Sequence, residues 1–149
     1  MMNALAAIFF AFALTSPNSL AYHELNCLAK NVYFEARGEP DDGKLAVAIV
    51  TLNRARDKQF PNSICEVVYQ NKQFNWTFDG KSDVPKNKKA WKKSVEIALK
   101  AIYNKDSYNK DILFFHAAYS SPYWKTHFQR VMKIGNHIFY ARNGTTSTN

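Results

Sequence analysis

Eight consecutive residues, Leu45-Ala46-Val47-Ala48-Ile49-Val50-Thr51-Leu52, carry no charge and are apolar almost all round, so the element they form must be covered on every side. Pro40-Asp41-Asp42 precedes the run with the proline and the acids of a helix first turn, and Asn53-Arg54 follows it. Val47, Ile49 and Val50 would suit a strand, but the alanines and the acidic, proline-led start favour a helix. A chain of 149 residues has room for one compact domain. The run is therefore expected to be the central helix of a single core.

The flanking patterns supply its neighbours. From Glu24 to Arg37, Leu25, Leu28, Ala29, Val32 and Ala36 recur at helical spacing, and Gly38 with Pro40 supplies a stop. Ser63-Ile64-Cys65-Glu66 has the form of a capping box, in which serine and glutamate satisfy each other's orphan amides, and predicts a short helix through Tyr69. Lys86 to Tyr103 carries Trp91, Val95, Leu99, Ile102 and Tyr103 at helical spacing, with Asn87 as cap and Lys88, Lys89, Lys92 and Lys93 early in the segment. Gln73 to Gly80 is aromatic and polar, as in an exposed loop or short strand lining a cleft, with Trp76 less suited to a core than Phe74 or Phe78. Ile112 to Tyr119 and Val131 to Tyr140 are strand candidates that could pair as a hairpin. The expected class is α+β, mainly helical, with a small antiparallel sheet.

Both ends differ from this body. Ala4 to Leu14 is an uncharged apolar stretch of signal-peptide length, too short to span a bilayer comfortably, and Ser19-Leu20-Ala21 offers small residues at a cleavage site. Residues 1–21 are thus expected to be a signal peptide or, since no Lys or Arg precedes the stretch, an uncleaved export anchor. The folded domain would then occupy residues 22–142, exported to a periplasmic or extracellular location, with 143–149 a flexible tail. In an exported chain the lone pair Cys27 and Cys65 is most simply a disulfide, worth about 4 kcal/mol for a loop of about 38 residues; two buried thiols are the alternative. Lys and Arg number 20 against 12 Asp and Glu, and no charge falls in the first 21 residues, so the domain itself is strongly basic. Such a surface favours anionic polymers, and for an exported protein the wall is a better partner than nucleic acid.

Glu35 lies seven residues after Leu28 and three after Val32, at the margin of the apolar stripe. A carboxyl placed there loses hydration, which raises its pKa toward the range of a general acid, whereas a surface glutamate paired with Arg37 or Lys30 would do nothing of the kind. Glu39 could cap the next helix or assist the site, and Asp79 could be a second carboxylate or simply the start of an Asp-Gly turn. His23, His116, His127 and His137 raise the alternative of a zinc amidase, but their spacing matches no compact zinc motif, and no metal or cofactor is expected.

Asn31-Val32-Tyr33-Phe34-Glu35-Ala36-Arg37-Gly38-Glu39, Ala46-Val47-Ala48, Leu52-Asn53-Arg54, Phe60-Pro61, Val68-Tyr69-Gln70, Gln73-Phe74-Asn75-Trp76-Thr77, Phe115-His116, Pro122, Trp124 and Ile134 to Tyr140 together resemble the spore cortex-lytic, or cell wall hydrolase, family over about residues 24–140. The resemblance implies a lysozyme-like domain that cleaves peptidoglycan between N-acetylmuramic acid and N-acetylglucosamine, as a lytic transglycosylase or a muramidase. It carries the catalytic role onto Glu35 and makes Gln73, Phe74, Trp76, His116 and His137 cleft residues; Glu39, Tyr119 and Trp124 are further candidates for substrate binding. A stand-alone monomer used in wall remodelling or phage lysis is expected, meeting the membrane only through its N-terminal segment. The rival from another class is a non-catalytic binder of wall glycan, for which Glu35 would be dispensable.

Overall fold

The computed structural model describes residues 17–142. The apolar stretch from Ala4 to Leu14 and the tail from residue 143 lie outside the described residues. Helix α1 (Pro17–Ala36) begins seven residues before the expected Glu24 and runs through Ala21. Pro17-Asn18-Ser19 therefore starts the helix; proline is tolerated at a first helical position because the N–H it lacks would have no partner there.

Helix α2 (Asp41–Arg56) is the central element, and Val47, Ala48 and Val50 in the middle of its apolar run have no exposed surface. One side packs with α1 and with α4 (Lys88–Tyr103) in a core of Leu28, Val32, Ala48, Leu52, Ile97 and Ala101. The other side carries Val47 and Val50 against Ile112 and Phe139 of the sheet. Asn87 caps α4, its side-chain oxygen accepting from the Ala90 amide at 2.9 Å.

The short helix α3 (Ile64–Val68) is capped in part by the expected Ser63 and in part from α1. Ser63 Oγ accepts from the Glu66 amide, but the Glu66 carboxylate takes the Ser63 hydroxyl and leaves the backbone amides to others. The Ile64 N–H is satisfied by Glu24 of α1, at 2.6 Å. Cys27 and Cys65 form a disulfide, which staples α3 to α1 beside that cap.

The sheet has three strands in the order β1 (Ile112–Ala117), β3 (His137–Arg142), β2 (Phe128–Ile134), all antiparallel. The segment expected as one strand from Val131 to Tyr140 is divided by a turn at Gly135, and its second half is the central strand. Gly135 has φ +53°, and a Cβ there would strike Glu39 Oε2, so both conformation and space demand glycine. No helix among the described residues is long and apolar enough to cross a membrane.

Candidate active site

The last turn of α1, the far end of α2, the loop after α3 and the ends of β1 and β3 enclose a cleft of about 500 Å³. Glu35, Gln73, Phe74, Trp76, His116, Tyr119 and His137, all singled out from the sequence, line it together. Asp79 is also on its wall.

Glu35 is half-buried and makes no hydrogen bond or ion pair with any described residue. Arg37 turns away, donating to the Tyr33 hydroxyl at 2.8 Å, so a surface pairing with Glu35 does not form. Burial therefore dominates and lifts the Glu35 carboxyl from 4.5 to about 7, with the Arg54 guanidinium opposing the rise. Arg54 is itself buried, and loss of hydration pushes it down to about 10 while the nearby Glu35 pulls it up. Its Nε donates to the Leu113 carbonyl at 2.8 Å, and its plane lies near the rings of Phe60, Phe74 and Phe114. A carboxyl near neutrality beside a fixed cation can give up a proton and then hold the resulting negative charge.

The helical wall of the cleft is dry. Trp76 stands in a 3-10 turn (Asn75–Thr77), is only 6% exposed and stacks on Phe34 at 4.7 Å between ring centres. The expectation that Trp76 would be the exposed aromatic of this loop is corrected: Phe78, at 54%, is exposed instead. Trp76 Nε1 donates to Asn31 Oδ1 at 3.0 Å, and Asn31 Nδ2 donates to Thr51 Oγ1 at 3.1 Å. An indole can be buried when its one N–H finds such a partner. Cys27, Val68 and Phe74 complete this cluster, which places the disulfide directly behind the cleft wall.

The sheet wall is built from histidines. His116 Nδ1 lies 2.8 Å from the Ala117 carbonyl, which can only accept, so Nδ1 carries the proton and Nε2 accepts from the Tyr140 hydroxyl at 2.9 Å. Trp124 packs edge-on against both rings and lies behind the cleft rather than in it. His137 is buried with Nδ1 unpartnered; burial holds its imidazole below the usual range, with Glu39 opposing and His116 reinforcing the shift. Glu39 is likewise absent from the lining. Its carboxylate accepts from the Asn136 amide at 2.9 Å and its carbonyl from Lys44 Nζ, so it holds the β2–β3 turn that presents His137.

Arg54, Phe34, Asn75, Phe115 and Ser120 also face the cleft and were not among the expected site residues. For Arg54 a signal existed, since it falls four residues after Val50 and seven after Val47, on the buried face of α2. Ser120, which follows β1 in a turn, offered none.

A mainly helical, lysozyme-like α+β domain with one desolvated carboxyl in its cleft defines the class of protein. The pattern of the Cell Wall Hydrolase family matches residues 38–140, and the chain belongs to that family. The spore cortex-lytic enzyme of Bacillus subtilis (strain 168) is 33% identical over 129 residues, 87% of this chain and 41% of that protein. That of Bacillus cereus is 34% identical over 123 residues, 83% of this chain and 46% of that protein. The chain thus spans less than half the length of these curated relatives. Among solved structures, the catalytic domain of the germination-specific lytic transglycosylase SleB from Bacillus anthracis is similar with a TM-score of 0.67 and 30% identity, over 78% of this chain and 93% of that one. The family match begins three residues beyond Glu35, but an alignment of 129 residues must contain it.

Proposed function

We propose that this protein cleaves the glycan strands of peptidoglycan between N-acetylmuramic acid and N-acetylglucosamine as a lytic transglycosylase, with Glu35 as its single acid and base. The observation that carries the reading is the half-buried Glu35 carboxyl, without a hydrogen-bond partner among the described residues and raised to about 7. Protonated, it donates to the glycosidic oxygen as the bond to C1 breaks. The carboxylate left behind faces Arg54 and accepts the proton of the muramyl C6 hydroxyl as that oxygen bonds to C1, leaving a 1,6-anhydro sugar. The net change is one glycosidic bond exchanged for another, with no water consumed.

A muramidase would need an activated water, and Asp79 is the other acidic residue on the cleft wall. Asp79 is exposed and its Oδ1 accepts from the Lys81 amide at 2.9 Å, the bond of an Asp-Gly turn, which favours the single-acid route. The similar SleB domain bears the name of a lytic transglycosylase, in agreement with this reading. Export is part of the proposal, and a disulfide suits an oxidising compartment.

Mass spectrometry of the soluble products from wild type and Glu35→Gln incubated with peptidoglycan tests it. Anhydromuropeptides from wild type only are expected. Reducing muramyl ends would make the enzyme a muramidase, and free stem peptides would make it an amidase. No soluble product from folded wild type on several wall types would leave a binding module.

A further inference from the structure

The cations of α4 crowd its start. Lys88 and Lys89 occupy the first turn, Lys92 follows, and no acidic residue balances them there. The N-terminal end of a helix is already the positive end of its dipole, so this placement costs stability and asks for a compensating role. Lys88, Lys89 and Lys92 are exposed and form no ion pair among the described residues, whereas Lys93 is held 3.0 Å from Asp41.

Lys89, Lys92 and Lys93 line a groove of about 440 Å³ with Arg37, Lys44 and Asn87. Asp41 and Glu96 also line it, but Asp41 is engaged by Lys93 and Lys44. The groove shares no lining residue with the cleft. Both nevertheless meet at the last turn of α1, which turns Glu35 to one and leads to Arg37 in the other. Glu35 stands in the last turn of α1, a helix about 10–12 Å across, and Arg37 is the first residue beyond its end. The Tyr33 hydroxyl ties the groove side together, accepting from Arg37 and from the Asn87 amide at 3.1 Å. The corner between the two sites is open, because Gly38 is exposed and a Cβ there would meet nothing within 4 Å.

We propose that this basic groove receives the carboxylates of stem peptides borne by the glycan strand whose sugars occupy the cleft. The inference rests on the proposed function and adds to it a preference for peptide-bearing substrate. An extended peptide advances about 3.3–3.6 Å per residue, so about five residues reach half-way around a helix of that width. Lysines on flexible stems suit carboxylates at variable positions, because each acts as a point charge without the fixed fork of an arginine. No aromatic ring among the described residues lines the groove, which leaves single-stranded nucleic acid nothing to stack on.

The test is a binding isotherm of full-length Glu35→Gln protein on insoluble glycan that either keeps its stem peptides or has been stripped of them by an amidase. Peptide-bearing glycan is expected to bind about tenfold more tightly at low salt, with the difference shrinking as salt rises. Lys89→Glu/Lys92→Glu in the same background is expected to erase the preference, and Lys89→Gln/Lys92→Gln to weaken it, with circular dichroism melts verifying that both stay folded. Equal binding of the two glycans, or a preference that survives charge reversal, overturns the proposal. Binding that survives peptide removal and falls only when wall phosphate polymer is extracted overturns it in favour of a phosphate-bearing partner. If wild type releases no glycan product while the preference holds, the proposed activity fails and the groove assignment stands.

Discussion

The cleft and the basic groove lie on either side of one helical turn and use charge in opposite ways. In the cleft the central charges are few and desolvated: Glu35 has no hydrogen-bond partner among the described residues and is raised to about 7, and buried Arg54 is lowered to about 10. In the groove they are many, Lys44 is buried and paired with Asp41, and the exposed, unpaired Lys89 and Lys92 keep their hydration. Water makes the difference. Removing it converts an ordinary glutamate into an acid usable near neutral pH, while leaving it in place lets a cluster of lysines attract anions without unfolding the helix that bears them.

The largest test of this contrast is Glu35→Gln, which keeps the shape of the side chain and removes its proton. Product release is expected to fall at least about 10³-fold with the melting temperature no lower than that of wild type, and an active variant would transfer the chemistry elsewhere. Trp76→Ala attacks the dryness instead. It opens a cavity beside Phe34 and leaves the Asn31 carbonyl oxygen without its indole donor, so a loss of about 3–5 kcal/mol in chemical denaturation is expected, with Trp76→Phe less costly.

A third measurement sharpens the comparison through pH. Burial raises the folded Glu35 carboxyl from 4.5 to about 7, so the folded chain holds a proton there that the unfolded chain has released. The favourable contribution is complete below about 4.5 and is lost as pH rises to about 7. Wild type should therefore lose up to about 3 kcal/mol relative to Glu35→Gln across that window, read from paired urea melts at pH 4 and pH 8. Activity should fall about tenfold per pH unit on the alkaline side of the same value. The smallest effect belongs to the groove side: Asp41→Asn removes the exposed contact to Lys93 and a longer one to Lys44, and a loss of at most about 1 kcal/mol in chemical denaturation is expected.

How far the sequence could be read follows the range of the interactions involved. The Asn87 cap, the central burial of α2 and the apolar stripe of α1 are periodic or local signals, and each reappears where it was expected. The division of the last strand was harder, because Gly135-Asn136 became a turn only where Glu39, 97 residues away from Asn136, meets its backbone. The serine half of the Ser63–Glu66 box formed as its spacing announced, but the bond to the Ile64 amide came from Glu24, 40 residues distant, which no local pattern could show. Trp76 looked like a surface aromatic beside Asn75 and Thr77 until Asn31 supplied the partner that lets an indole be buried.

By itself the sequence determined the helices, the cysteine pair able to form the staple, and a carboxyl at the edge of an apolar stripe, because short-range spacing sets which side chains share a face. Tertiary structure alone decided that this carboxyl would have no hydrogen-bond partner among the described residues, that a buried arginine would stand near it, and that Glu39 and Trp124 would support the cleft instead of lining it. Hydration and pairing depend on neighbours brought from distant parts of the chain, and no local pattern records which of them will arrive.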